Sequence, residues 1–168
     1  FDDRLMVAAE WFCLWVIEGP SRLASRLPLH EAGLNVIWTD DLAPYRTRKV
    51  RILNGAHTLM VLGAFLGGKD TVGECLNDPV ISTFLKQAIE EDIIPYFDLP
   101  LDEKRRYAAD VLERFANPFI RHELLSISLN SVSKWSVRVL PSLEDGYKAS
   151  GKVSSRLAWS LGALIAFY

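Results

Sequence analysis

Lys49, Asn54 and His57 lie within the nine residues KVRILNGAH and bring together an amine, a carboxamide and an imidazole. An amine able to take up a proton near neutral pH can act as general acid or base at a hydroxyl or carbonyl oxygen. A carboxamide is a neutral, oriented donor suited to an oxygen that gains negative charge. An imidazole can hold a neighbouring hydroxyl in place. The set suits proton transfer at an oxygen whose charge changes, provided that one element turns all three groups the same way.

The same stretch contains Asn54-Gly55 between apolar residues, the strongest short signal for a β-hairpin. The residues after Gly55 decide between the two readings. AHTLMVLGAFLGG (56–68) does not alternate apolar with polar, so it makes a poor second strand. Ile52, Ala56, Leu59, Met60 and Gly63 recur at helical spacing, and Gly67-Gly68 forms a helix end. The helix is apolar nearly all round, which predicts a buried central position. On an α-helix with Lys49 at zero, Asn54 falls at about 140° and His57 at about 80°. All three then lie on one side, with Asn54 and His57 as direct neighbours. Lys49 sits roughly 12 Å along the axis from His57 and needs its long arm to join them. If Thr47 caps the helix, Lys49 lies in its first turn, beside Arg46, Arg48 and Arg51. Gly55 removes a side chain and lets a ligand or another backbone approach. Spacing alone leaves a plain alternative: a solvated lysine, a kink at Asn54-Gly55 and a core histidine.

The chain has 168 residues, 49% of them hydrophobic, with net charge −2, enough to bury one sizeable core and without the basic footprint of a nucleic-acid binder. Cys13 and Cys75 are far apart and form no CxxC, which suggests a reduced, cytoplasmic chain. Neither has a histidine nearby in sequence, and there is no GxSxG, so a thiol or serine nucleophile is not indicated. His30, His57, His122 and the two cysteines lack zinc-ligand spacing, so no metal is expected. The most apolar run, LAWSLGALIAFY (157–168), is too short to span a bilayer and reads as a core helix. No membrane partner and no signal peptide are indicated. The start at Phe1 without a methionine, and the stop within an apolar helical pattern at Tyr168, suggest a piece of something longer.

One mainly α-helical domain, residues 1–168, is expected, with a small antiparallel β element near its start. WFCLWVIEG (11–19) and LNVIWTDD (34–41) supply the two strands. Asp78-Pro79 opens a helix that Pro95 stops, and Asp102 caps EKRRYAADVLERFA. FIRHELLSIS, SVSKWSVRV, SLEDGYKA after Pro141, and the C-terminal run supply the rest. Trp11, Phe12 and Trp15 read as core. The runs EED (90–92) and EKRR (103–106) read as solvated helix faces.

The longer stretch YRTRKVRILNGAHT resembles the polyol-specific long-chain dehydrogenases, the mannitol dehydrogenase family, whose motif Lys-x4-Asn-x2-His is matched by Lys49, Asn54 and His57. AGLNVIWTDDLAPYRTRKVRILNGAH and RHELLSISLNSVSKWSVRVLPSL are most similar to a branch that interconverts tagaturonate and altronate. The resemblance covers residues 11–168 in particular. It implies a lysine general acid/base, an asparagine that helps form an oxyanion hole, a histidine that holds substrate, NAD as cofactor and no metal. It also implies a partner within the same protein, an N-terminal Rossmann domain. This chain has no strand–GxGxxG–helix unit, since GAFLGG follows a helix. The expectation is a substrate-side domain unable to transfer hydride alone, with a tendency to dimerise when isolated.

A sugar acid carries a carboxylate, and Arg121, His122, Lys134 and Arg46 are the candidate cations to meet it. Arg46, Arg48 and Arg51 read either as a rim that attracts anions or as a solvated face. Arg121 reads equally well as a surface ion pair with Glu123 or Glu113. Other polyols, mannitol and mannonate among them, and a non-catalytic helical interaction domain are the competing readings.

Overall fold

The computed structural model describes Leu5 and residues 12–168. The chain divides into two compact units, residues 1–45 and 46–168. The first holds two short strands, β1 (Trp15–Glu18) and β2 (Val36–Thr39), with a 3₁₀ turn at Ser21–Leu23 between them. The strands lie where the aromatic and β-branched runs placed them, but they pair parallel, Trp15 opposite Val36 and Glu18 opposite Thr39. The antiparallel expectation is corrected by the connection. Residues 19–35 are long enough for the crossover that parallel strands need. Glu18 accepts a hydrogen bond from the Leu42 amide at 2.9 Å, which ties the chain leaving β2 back to β1. Phe12 and Trp15 are exposed, at 40% and 53%, so the core reading fails for both; Trp11 lies outside the described residues.

The helices begin before Thr47. Asp41 accepts a hydrogen bond from the Ala43 amide at 2.8 Å and starts α1 (Ala43–Arg48) there. The chain continues without a break through π-helical turns, Lys49–Asn54, into α2 (Gly55–Leu66). The Asn54-Gly55 pair is inside a helix, not at a turn. Its backbone is right-handed helical at both residues. Gly67 and Gly68 end α2, and Gly68 takes the positive φ of 82° that favours glycine.

α2 is the centre of the second unit. Eight of its twelve residues are buried, and it packs against α4, α6, α7 and α9. α3 (Val72–Asn77) has no counterpart in the apolar pattern, yet its start is written in sequence as a capping box. Thr71 Oγ1 accepts from the Glu74 amide at 3.3 Å, and Glu74 accepts from the Thr71 amide at 3.2 Å. α4 (Pro79–Gln87) is capped by Asp78, which accepts from the Val80 and Ile81 amides, with Pro79 at the first position. It runs on through a second π-helical stretch, Ala88–Ile93, and a 3₁₀ turn, Ile94–Tyr96, where Pro95 falls. α5 (Leu101–Phe115) starts one residue before Asp102, so that aspartate sits in the first turn and is not the cap.

α6 (Leu124–Ser128) is shorter than FIRHELLSIS predicted. Residues 117–123 lie outside any helix, because the Val72 amide bonds the His122 carbonyl and the Leu124 amide bonds the Asp70 carbonyl. Those partners draw this segment to the start of α3 instead of into a helical ladder. α7 (Ser131–Arg138), α8 (Leu140–Ser150) and α9 (Ser155–Phe167) complete the unit. Its core runs from Ile52, Ala56 and Leu59 to Leu85, Val111, Leu124 and Leu157, all at or below 1% exposure.

Candidate active site

Lys49 is the first residue of the π-helical stretch and Asn54 the last. In π-helical turns the backbone bonds close between residues five apart, so side chains at i and i+5 stack on one side. The stretch therefore turns Lys49 and Asn54 toward a common direction, more closely than the 100° steps of an α-helix would. π-helical insertions of this kind are frequent at functional sites. His57 follows in the first turn of α2, three residues after Asn54.

Two arginines fix the stretch from outside. Arg48, buried, pairs with Glu103 of α5 and lies over the Tyr107 ring, 4.5 Å from its centroid. Arg51 donates to Ser142 Oγ at 3.0 Å and to Asp145 at 2.7 Å, both on α8. Neither is a free rim charge. Ile52, fully buried, fastens the opposite side to the core. Lys49 is exposed and makes no side-chain hydrogen bond or ion pair among the described residues. It lies six residues into the helix that starts at Ala43. The first-turn placement does not hold. Arg46 is also exposed.

His57 sits in the most unusual surroundings. Its ring stacks on Phe115 with centroids 4.0 Å apart and meets His122 edge-on at 5.0 Å. Its Nε2 is shut off from solvent and has no hydrogen-bond partner among the described residues. Burial, then the charges of His122, Arg138, Arg114 and Lys134, push its pKa down to about 3. The imidazole is therefore neutral at physiological pH, with one nitrogen donating and the other accepting.

The structure draws several of the expected cations around this ring. His122 touches it. Lys134, half-buried on α7, donates from Nζ to the Ile127 carbonyl at 2.8 Å. Burial and the neighbouring Arg138 hold its pKa below the ordinary lysine value. Arg121 stands apart: it is exposed and pairs with Glu123 at 3.3 Å. Arg138 and Arg114 were not among the residues picked from sequence, although both lie near enough to His57 to lower its pKa. For Arg138 the signal was present, since residues four apart on a helix share a face and Lys134 was already a candidate. Gly55 also has a structural use. A Cβ there would lie 3.3 Å from the Arg138 carbonyl, so the glycine admits the backbone of α7.

Among the described residues no group of His, Cys, Asp and Glu could hold a metal ion. Burial pushes the Cys75 thiol up to about 11, which leaves it un-ionised and unreactive. No strand–glycine-loop–helix unit is present among the described residues to hold a dinucleotide. No helix among them is long and apolar enough to cross a membrane.

The sequence pattern of the mannitol dehydrogenase C-terminal domain matches residues 41–168, three-quarters of the chain. The chain belongs to the mannitol dehydrogenase family. Relatives within that family include the altronate oxidoreductase of Enterobacter sp. (strain 638), 51% identical over 168 residues, which is 100% of this chain and 35% of that protein. The altronate oxidoreductase of Escherichia coli O6:K15:H31 (strain 536 / UPEC) is 51% identical over the same span. The chain thus covers about a third of the length of the relatives it matches. Among solved structures, Pseudomonas fluorescens mannitol 2-dehydrogenase in ternary complex with NAD and D-mannitol superposes with a TM-score of 0.73 at 26% identity, over 81% of this chain and 28% of that one. A D-sorbitol dehydrogenase in substrate-free form gives 0.74 at 24% identity, over 83% of this chain and 28% of that one, and speaks for the fold alone. The mainly helical second unit is thus the C-terminal fold of the mannitol dehydrogenase family.

Proposed function

We propose that this chain is the substrate-side half of an NAD-dependent oxidoreductase that interconverts altronate and tagaturonate. The observation that carries the reading is the 51% identity, over the whole chain, to proteins named altronate oxidoreductase. The cations gathered around His57 agree with an anionic substrate, because a carboxylate balances charges that the fold has partly desolvated.

In this reading Lys49 Nζ takes the proton from the alcohol that is oxidised and returns it to the carbonyl oxygen in the reverse direction. The Asn54 side-chain amide donates to that oxygen while it carries partial negative charge. His57 orients a substrate hydroxyl. Lys134 and His122 face the acid end of the sugar. Bound nicotinamide cofactor supplies the acceptor for the hydride that leaves carbon. The described residues of this chain do not fit a dinucleotide site, so cofactor binding falls to a Rossmann domain elsewhere in the same protein. Closure of that domain over Lys49 would exclude water from an amine that is exposed in this chain.

Substrate profiling of the full-length protein tests the reading. NAD reduction is expected with altronate at a kcat/KM well above that for mannitol or mannonate. A preference for mannitol would move the protein to a sister activity, in line with its likeness to mannitol 2-dehydrogenase. No turnover of any of the three would leave the interaction-domain reading.

A further inference from the structure

We propose that Arg138, acting with Lys134 one turn before it on α7, is the residue that recognises the substrate carboxylate and so selects a sugar acid over a neutral polyol. The inference rests on the oxidoreductase reading above and adds a specificity residue to it. Arg48, Arg51 and Arg156 each hold a carboxylate: Glu103, Asp145, and Glu91 with Asp92. Arg138 holds none. Among the described residues its guanidinium reaches one partner, the hydroxyl of Thr58 at 3.4 Å, a long and weak contact. Among the described residues Lys134 likewise has only a backbone carbonyl. Buried cations are ordinarily paired. Here two half-buried cations, four residues apart on one helix face, lie together beside His57 without a counter-ion among the described residues.

The position suits the task. Thr58 follows His57 on α2 and donates its own proton to the Asn54 carbonyl at 2.9 Å, so its oxygen is left to accept from Arg138. That contact aims the guanidinium at the junction of the π-helical stretch and α2, where Asn54 and His57 lie. Burial lowers the pKa of Arg138, and burial followed by Arg138 lowers that of Lys134, so each cation is destabilised until an anion arrives. A guanidinium can take a carboxylate through two parallel hydrogen bonds, with Lys134 adding a point charge. Arg121, the more obvious arginine in sequence, is already paired with Glu123 at the surface.

Arg138→Gln and Arg138→Lys in the full-length protein test this. For each, KM and kcat are measured with altronate. Affinity is measured for altritol, which replaces the carboxylate by a hydroxymethyl group, read as a KM or as a competitive inhibition constant. Arg138→Gln is expected to raise KM for altronate by roughly 10- to 100-fold, the span of a lost charge-assisted hydrogen-bonded contact. Affinity for altritol is expected to change by less than about threefold. Arg138→Lys should recover part of the altronate affinity, because the charge stays and the fork is lost. Equal losses for acid and polyol, or an unchanged altronate KM, overturn the inference and leave Arg138 a packing residue. A wild-type protein that does not oxidise altronate overturns the reading beneath it instead, before any variant is compared.

Discussion

His57 is neutral where a solvent-exposed histidine would begin to charge, and this has consequences for stability. Its folded pKa is about 3 against about 6.5 unfolded, so as pH falls the unfolded chain takes the proton first. The stability it contributes is complete above about pH 6.5 and is lost as pH falls toward 3, at about 1.4 kcal/mol per unit. The groups that face it, His122, Lys134, Arg138 and Arg114, all oppose its protonation, and Phe115 covers one ring face. Denaturant midpoints at pH 7 and pH 5 should show a larger loss for the wild type than for His57→Gln, by about 2 kcal/mol. Equal losses would mean that the ring titrates freely. The type and spacing of Lys49, Asn54 and His57 made the motif readable in one dimension. The charge field around His57 was not readable, because α5, α7 and the 117–123 segment reach it from positions about 60 to 80 residues away.

The helix from Ala43 to Leu66 shows what an element adds to its residues. Apolar recurrence announced a buried helix, and it is one. The same recurrence could not announce the π-helical turns, because an insertion of one residue per turn changes the side-chain bearing without changing composition. Its causes are tertiary: Arg48 held by Glu103, Arg51 held by Asp145 and Ser142, Ile52 in the core. Inserting an alanine after Val50 should place Lys49 and Asn54 six residues apart, about 240° around an α-helix, and swing Lys49 away from Asn54. Turnover of the full-length protein is expected to fall about as far as on loss of a general base, 10²- to 10⁴-fold, with helical circular dichroism retained. Retained turnover would remove the π-helical turns from the site. Ile52→Ala, a cavity at a fully buried position, should cost about 2–5 kcal/mol in denaturant unfolding. A loss below about 0.5 kcal/mol would show that the anchor is not rigid. The strands were legible as strands from β-branched and aromatic runs. Their relative direction was not, since it depends on how the chain between them crosses over.

At the scale of the whole molecule, about a third of the relatives' length carries the motif lysine and the cation cluster but no dinucleotide fold among its described residues. Several large apolar side chains near the cluster are exposed, among them Leu125, Leu129, Val132 and Val137 on and between α6 and α7. In the full-length protein a cofactor domain is expected to cover them, seen as slower hydrogen exchange of α6 and α7 than in this chain alone; equal exchange would place that domain elsewhere. The isolated chain is expected to reduce no NAD with altronate. The most direct measurement is turnover of Lys49→Ala in the full-length protein, with NAD affinity measured on the same sample. A loss of about 10²- to 10⁴-fold in kcat with cofactor binding intact is the result expected of a general acid/base. Turnover equal to wild type would take Lys49 out of the chemistry, and the proposed mechanism with it.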